Sequence, residues 1–210
     1  MATVTLLVIR PGETDWNRRQ IFRGAYDIPL NDNGRAQAGR LTGVLPAIDA
    51  AYCSPLSRAR ETAQLALSGQ TVEAQDHRGL QDIDYGDWTG KEDDEVKGRW
   101  PDEHAAWIST PHLGTPTGGE SLHTVSGRAL GALRQVVDAH PGQTVALFAH
   151  RVVNKVLALG MLGLGLDRFP YIRQDNGCIS EFQKAEDDYV VVRLNDTAHM
   201  RDTDVLAVDF

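Results

Sequence analysis

Four basic side chains stand just beyond short apolar runs of this chain: Arg10, Arg58, Arg60 and His150. A guanidinium presents its N–H donors in a rigid fork that matches pairs of phosphate oxygens, and an imidazole beside it adds a further donor. Two arginines and a histidine gathered at one pole describe an anion pocket. On position alone that reading stands level with a plainer one, in which the arginines make surface ion pairs. The remaining histidines, His77, His104, His112, His123, His140 and His199, show no metal-ligand spacing, so no metal is expected. Gly160, Gly163 and Gly165 do not follow a strand as a dinucleotide loop would, and they read as helix-end punctuation.

For those basic groups to meet, the elements before them must end at a common edge. Residues 3–9 (TVTLLVI) are short, β-branched and apolar throughout, the pattern of a strand buried on both faces. Residues 32–45 repeat with a helical period, with Asn or Asp as cap at the start and Pro46 as the stop. Residues 49–53 predict a second strand, and Ser54-Pro55 opens a helix through about residue 67. A strand near 71–74 precedes a long irregular stretch, 76–118, which holds Tyr85, Trp88, Trp100 and Trp107 and one short helix near 91–99. This stretch reads as a lid-like insertion, its aromatic residues as its core.

Gly118-Gly119-Glu120-Ser121 leads into a helix to about residue 139, which Pro141-Gly142 breaks. A strand over 143–149 then delivers His150 to the start of a helix over 151–162. A hairpin at 178–183 and 188–194 follows, and the acidic tail 196–210 reads as poorly packed. The alternation predicts an α/β fold of three layers, a mainly parallel central sheet with helices on both faces, in one domain over residues 1–210. Such sheets bind ligands at the carboxyl ends of their strands. Arg10 and Pro11, Ser54 to Arg58, and His150 are therefore expected to converge.

Composition bounds the partners. With 41% apolar and 24% charged residues the 210-residue chain has ordinary globular make-up. A net charge of −8 and a pI near 5.3 disfavour a nucleic-acid partner, so any basic site is local. No run reaches the roughly 18 apolar residues of a membrane span, so no membrane partner is expected either. The N-terminus has no basic residues before its apolar run and no small-residue cleavage site, and a cytoplasmic protein is expected. Cys53 and Cys178 lie far apart and read as buried thiols. A homo-oligomer is compatible with the sequence.

The sharper signal is an ordered set of motifs. Arg10-Pro11-Gly12-Glu13-Thr14, with Trp16-Asn17, resembles the Arg-His-Gly-Glu-Thr signature of the histidine phosphatase superfamily, the phosphoglycerate mutase-like proteins, with one residue changed. Gly24, Asp27, Pro29, Leu30 and Gly34 resemble that family's next loop and helix, and Ser54-Pro55-Leu56-Ser57-Arg58-Ala59 with Thr62-Ala63 its second arginine motif. Leu80-Gln81-Asp82, Gly86 and Trp88 resemble the segment that carries its acidic proton donor; Gly119-Glu120-Ser121 and Ala149-His150 resemble two later motifs.

The resemblance implies a phosphoglycerate mutase-like fold, no cofactor, and a small phosphorylated metabolite or other anionic ligand as partner. In that family the first histidine attacks the phosphoryl group and is transiently phosphorylated. The resemblance further implies that Arg10, Arg58 and His150 clamp the phosphate, that Asn17 adds a hydrogen bond, and that Glu120 belongs to the substrate-binding set, to which the cation Arg151 beside His150 is added as a candidate on its charge. Asp82 takes the place of the acid that protonates the leaving oxygen, an aspartate where most mutase-like members carry glutamate.

Two departures bear on function. Pro11 occupies the nucleophile's place with no nucleophilic atom, no exchangeable proton and no backbone N–H. Loss of a nucleophile costs a hydrolase on the order of a millionfold, or about 8 kcal/mol of transition-state stabilisation. Arg151 stands where many members have glycine, and a cation at a helix N-terminus is unfavourable unless an anion lies nearby. Simple solvent exposure of Arg151 is its equal alternative.

The residues thus predict a phosphate-ester pocket whose phosphohistidine turnover is lost or strongly impaired, a pseudoenzyme. The competing readings are an active phosphomonoester phosphatase or mutase that uses His150 or an activated water, and a non-hydrolytic enzyme using Asp82 and His150 as acid and base. Pro11 as an introduced change, one base from a histidine codon, is a further one.

Overall fold

Val4–Ile9 forms strand β1, and its alternation divides the molecule: Leu6 and Val8 face one side of a sheet, Leu7 and Ile9 the other, all nearly inaccessible to solvent. In the computed structural model, which describes residues 3–186 and 188–201, this strand lies inside a six-stranded sheet. The strands are β1, β2 (Ala50–Cys53), β3 (Ala74–Asp76), β4 (Thr144–Phe148), β5 (Ile179–Ala185) and β6 (Asp188–Asp196), in the order β3-β2-β4-β1-β5-β6. The first four in that order run parallel, and β5 and β6 run antiparallel.

Helices cover both faces. On one, Leu7, Ile9, Ala146 and Phe148 pack against Leu41 of α2 (Asp32–Leu41) and Ala63 and Ala66 of α3 (Ser57–Ala66). On the other, Leu6, Val8, Val145 and Leu147 pack against α6 (Leu122–Ala139) and α7 (Arg151–Met161). Tyr85, Trp88 and Trp107 from the long connection between β3 and α6 join that second core, with edge-to-face ring contacts to one another and to Phe22. The mainly parallel three-layer expectation therefore holds, with the late hairpin as the antiparallel part.

Register decides what the sheet can present. Ile9 of β1 and Cys53 of β2 both pair with Phe148 of β4, so three parallel strands end side by side. The segments that follow them leave the sheet at one edge.

Several boundaries differ from the sequence expectation. The helix expected over 32–45 stops at Leu41, because Thr42, Gly43 and Val44 are poor helix formers and close a turn instead. The strand expected near 71–74 forms at Ala74–Asp76, where pairing of Ala51 with Ala74 fixes it. The 76–118 stretch carries two helices rather than one, α4 (Asp93–Arg99) and α5 (Pro101–Ser109), since Pro101 ends one and suits the first position of the next. A short helix α1 (Asp15–Arg18) was not expected. The tail is packed as far as Met200, which is 1% exposed at the end of a 3₁₀ turn, and residues 202–210 lie outside those described. Cys53 and Cys178 are buried free thiols, as expected. Among the described residues no helix is long and apolar enough to cross a membrane.

Candidate functional site

The loop that leaves β1 is fixed before any ligand is considered. The Arg10 N–H donates to the Cys178 carbonyl, continuing the ladder with β5, and the Arg10 guanidinium donates to the Gln174 carbonyl at 2.5 Å. The Pro11 carbonyl accepts from the N–H of Gly177 and from Asn176 Nδ2, at 3.1 and 3.3 Å. Gly12 lies so close to α2 that a Cβ there would stand 2.2 Å from the Gly34 carbonyl oxygen. Thr14 caps α1, and its N–H and hydroxyl both donate to Asn17 Oδ1, at 2.8 and 2.9 Å. Asn17 is thereby held in place, buried beside Pro11.

From β2 comes Arg58, the second residue of α3 and 2% exposed. Its guanidinium donates to the carbonyls of Tyr26 and Gly24 at 2.9 and 2.7 Å and to Asp82 Oδ2 at 3.1 Å. Thr62, a turn further on, donates to the Arg58 carbonyl and accepts from the Gly12 N–H, tying the second loop to the first. From β4 comes His150, the residue that precedes α7, with Nδ1 3.7 Å from the same Asp82 oxygen. Its Nε2 and the Asn176 Oδ1 are buried with no hydrogen-bond partner among the described residues. Such orphaned polar atoms cost about 1–3 kcal/mol each.

The sequence-predicted Arg10, Pro11, Asn17, Arg58, His150 and Arg151 line one small cavity of about 10 Å³, and Asp82 borders the adjoining cleft beside Arg151. The cavity has room for about one water. Burial lowers the pKa of every cation here, and mutual repulsion adds to it. Desolvation, Arg23 and Arg151 bring Arg10 to about 9. Desolvation brings Arg58 to about 10 against the pull of Asp82, and Arg151 also to about 10. Desolvation and then the charge of Arg58 hold His150 well below its ordinary range, as a neutral imidazole at pH 7. A cluster whose cations repel one another, with the Asp82 carboxylate among them, is electrostatically matched to a polyvalent anion.

Two sequence-predicted groups stand apart. Glu120 lines none of these cavities; its carboxylate takes both arms of Arg128, at 2.9 Å each, and the Asp84 N–H. Burial works to raise its carboxyl pKa, but the bonds from Arg128 and the Asp84 N–H hold it below the usual range. Arg128 in turn donates to the carbonyls of Gly79, Gln81 and Asp82, so Glu120 acts on the Asp82 segment at one remove. Arg60 points away and pairs with Asp76 on the surface. A cleft of about 660 Å³ beside Arg60 and β3 shares no residue with the arginine cluster.

Sequence reasoning missed Arg23, Asn176 and Lys155. Arg23 and Asn176 complete the small cavity, and Lys155 follows Arg151 by one turn of α7. A lysine inside the run Val-Val-Asn-Lys-Val-Leu-Ala-Leu was a visible anomaly. Arg23 adjoined the matched Gly24 but follows no strand. Among the described residues no group of three or more His, Cys, Asp or Glu is placed to hold a metal ion.

Comparison with known proteins identifies the family. The model of the histidine phosphatase superfamily (branch 1) matches residues 6–197. Phosphoserine phosphatase 1 of Hydrogenobacter thermophilus is 32% identical over 199 residues, 94% of each chain. YhfR of Bacillus stearothermophilus superposes with a TM-score of 0.90 at 33% identity, over 94% of this chain and 99% of that one. A histidine-to-alanine mutant of phosphoserine phosphatase from Entamoeba histolytica, in complex with phosphoserine, superposes with a TM-score of 0.83 at 27% identity, over 94% and 99% of the two chains. With the sheet order, the converging strand ends and a model match over nearly its whole length, the chain belongs to branch 1 of the histidine phosphatase superfamily.

Proposed function

We propose that this protein binds a phosphate monoester between Arg10, Arg58 and His150, with Asn17 and Arg151 as further donors, and that it does not turn the ester over by a phosphohistidine route. One observation carries the reading: Pro11 lines the floor of the arginine cavity, at the position that resembles the family's nucleophile. Proline offers no lone pair for attack, whereas the arginines need no nucleophile to hold an anion. A small phosphorylated metabolite in the cytoplasm is the ligand this implies. The related phosphoserine complex of a histidine-to-alanine mutant lends support, since there a family fold lacking one histidine still holds a phosphomonoester. In this reading Asp82 orients Arg58 and stands beside His150, and Glu120 is a positioning residue that acts through Arg128.

The test is binding with product analysis. Titration with a phosphomonoester should saturate, and phosphorus NMR of the same sample should show the ester intact after hours. No saturation, or steady release of phosphate, contradicts the proposal.

One observation favours a second reading, hydrolysis by a different nucleophile. His150 is held neutral, its Nε2 is unpartnered among the described residues and it lines the arginine cavity, so the tautomer with its proton on Nδ1 would present a lone pair there. Phosphate release by the Pro11 protein together with a trapped phosphohistidine at His150 would establish it.

A further inference from the structure

Arg151 and Lys155 lie four residues apart on α7, so their side chains share one helix face. With Trp107, Ile108, Phe169 and Pro170 they line a second cavity, of about 200 Å³. Arg151 also lines the small cavity beside Pro11, so it forms a common wall between the two.

Lys155 is 4% exposed. Its ammonium stands 4.2 Å from the centre of the Phe169 ring, and among the described residues neither it nor the Arg151 guanidinium makes a salt bridge or a side-chain hydrogen bond, Arg151 feeling Asp82 only at longer range. A lysine used only for packing carries its head out to water along an apolar surface. Here the head is turned inward, onto an aromatic wall and next to a second cation, which is costly unless an anion completes the site. The walls themselves are apolar. Trp107 and Ile108 come from α5, and Phe169 and Pro170 from the 3₁₀ turn Leu166–Tyr171.

We propose that this cavity receives a second oxyanion of the ligand, a carboxylate or a further phosphate, joined to the phosphate ester through a short apolar stem that lies against Trp107 and Phe169. The inference rests on the phosphate-binding reading and narrows it to esters that carry two separated anionic groups. Arg151 is the bridge between them. Burial and the charges of Arg151 and Arg10 bring Lys155 to about 7, so a ligand oxyanion would restore its full charge.

Calorimetric titration with matched ligands tests this. The first series is propyl to hexyl phosphate; the second and third carry a terminal carboxylate or a terminal phosphate on the same stems. At the best stem length the terminal anion should tighten binding about tenfold or more over the plain alkyl phosphate, as one charge-assisted hydrogen bond does. That ratio should fall toward one in Lys155→Met, persist in Lys155→Arg and shrink in Arg151→Met. The larger of the two ratios identifies carboxylate or phosphate as the second group. Equal binding of plain and terminally charged esters at every length overturns this inference alone, as does a ratio unchanged by Lys155→Met. Failure of all three series to bind overturns the phosphate pocket with it.

Discussion

Nη2 of Arg58 lies 3.1 Å from Oδ2 of Asp82, and both side chains are buried. The same oxygen stands 3.7 Å from Nδ1 of His150, beyond hydrogen-bond reach, so one carboxylate holds Arg58 and lies beside a second group proposed to hold phosphate. Breaking a buried pair by removing one partner costs about 3–5 kcal/mol, because the other charge stays behind unpaired.

Arg58→Ala should therefore lower Tm by about 6–20 °C, given roughly 2–4 °C per kcal/mol in a chain of this size. It should also abolish the rise in Tm that inorganic phosphate gives the native protein, a rise set by the ratio of ligand concentration to Kd. The double variant Arg58→Met, Asp82→Asn separates the two effects. It should regain most of the lost stability and none of the phosphate response in a thermal melt; a phosphate response regained along with stability would show that Arg58 contributes fold and not binding.

The glycines between α2 and the β1 exit loop set the loop's position. A Cβ on Gly34 would stand 2.1 Å from the Glu13 carbonyl oxygen, whereas one on Gly39 in the same helix meets nothing within 4 Å. Gly34→Ala should cost about 1–3 kcal/mol and weaken phosphate binding, as overpacking pushes residues 11–14 away from Arg58. Gly39→Ala should instead stabilise by about 0.5–1 kcal/mol with binding unchanged. Denaturant unfolding with phosphate titration checks both, and equal effects of the two would remove the loop argument.

Lys155 gives stability a distinctive pH dependence. Its pKa is near 7 in the fold against 10.5 when free, set by burial, Arg151 and Arg10, with the Phe169 ring facing it. Between those values the unfolded chain binds more protons, so this residue makes stability rise with pH across that window. Its cost, on the order of a few kcal/mol, is fully present below about pH 7 and fades toward pH 10. Lys155→Met should thus raise Tm more at pH 6 than at pH 9.5. A difference in Tm that is the same at both would show that the lysine is not desolvated.

How much of this was legible in the sequence follows from where each signal lives. β1 and β4 are buried on both faces, so an unbroken apolar run marked them, and Asn31 and Ser121 announce their helices as side-chain caps. Arg10 and His150 each closely follow such a strand, whereas position alone marks Arg58 no better than Arg60, and only its resemblance to the family's second arginine motif singles it out. β3 carries no pattern, being three mostly exposed residues placed only by their pairing with β2. Arg23 and Asn176 reach the cavity through the path of long loops, which tertiary packing alone decides. Glu120 was read into the binding set from its motif, yet its bonds go to Arg128, a partner eight residues on that no spacing rule singled out.

The most direct measurement is phosphate release from a panel of phosphomonoesters by the native protein, by Pro11→His, and by Pro11→His combined with Arg58→Ala. The account predicts no release by the native protein, clear turnover by Pro11→His, and loss of that turnover in the double variant. Hydrolysis by the native protein at a rate close to that of Pro11→His, itself lost on Arg58→Ala, would contradict it and make His150 or a water the attacking group.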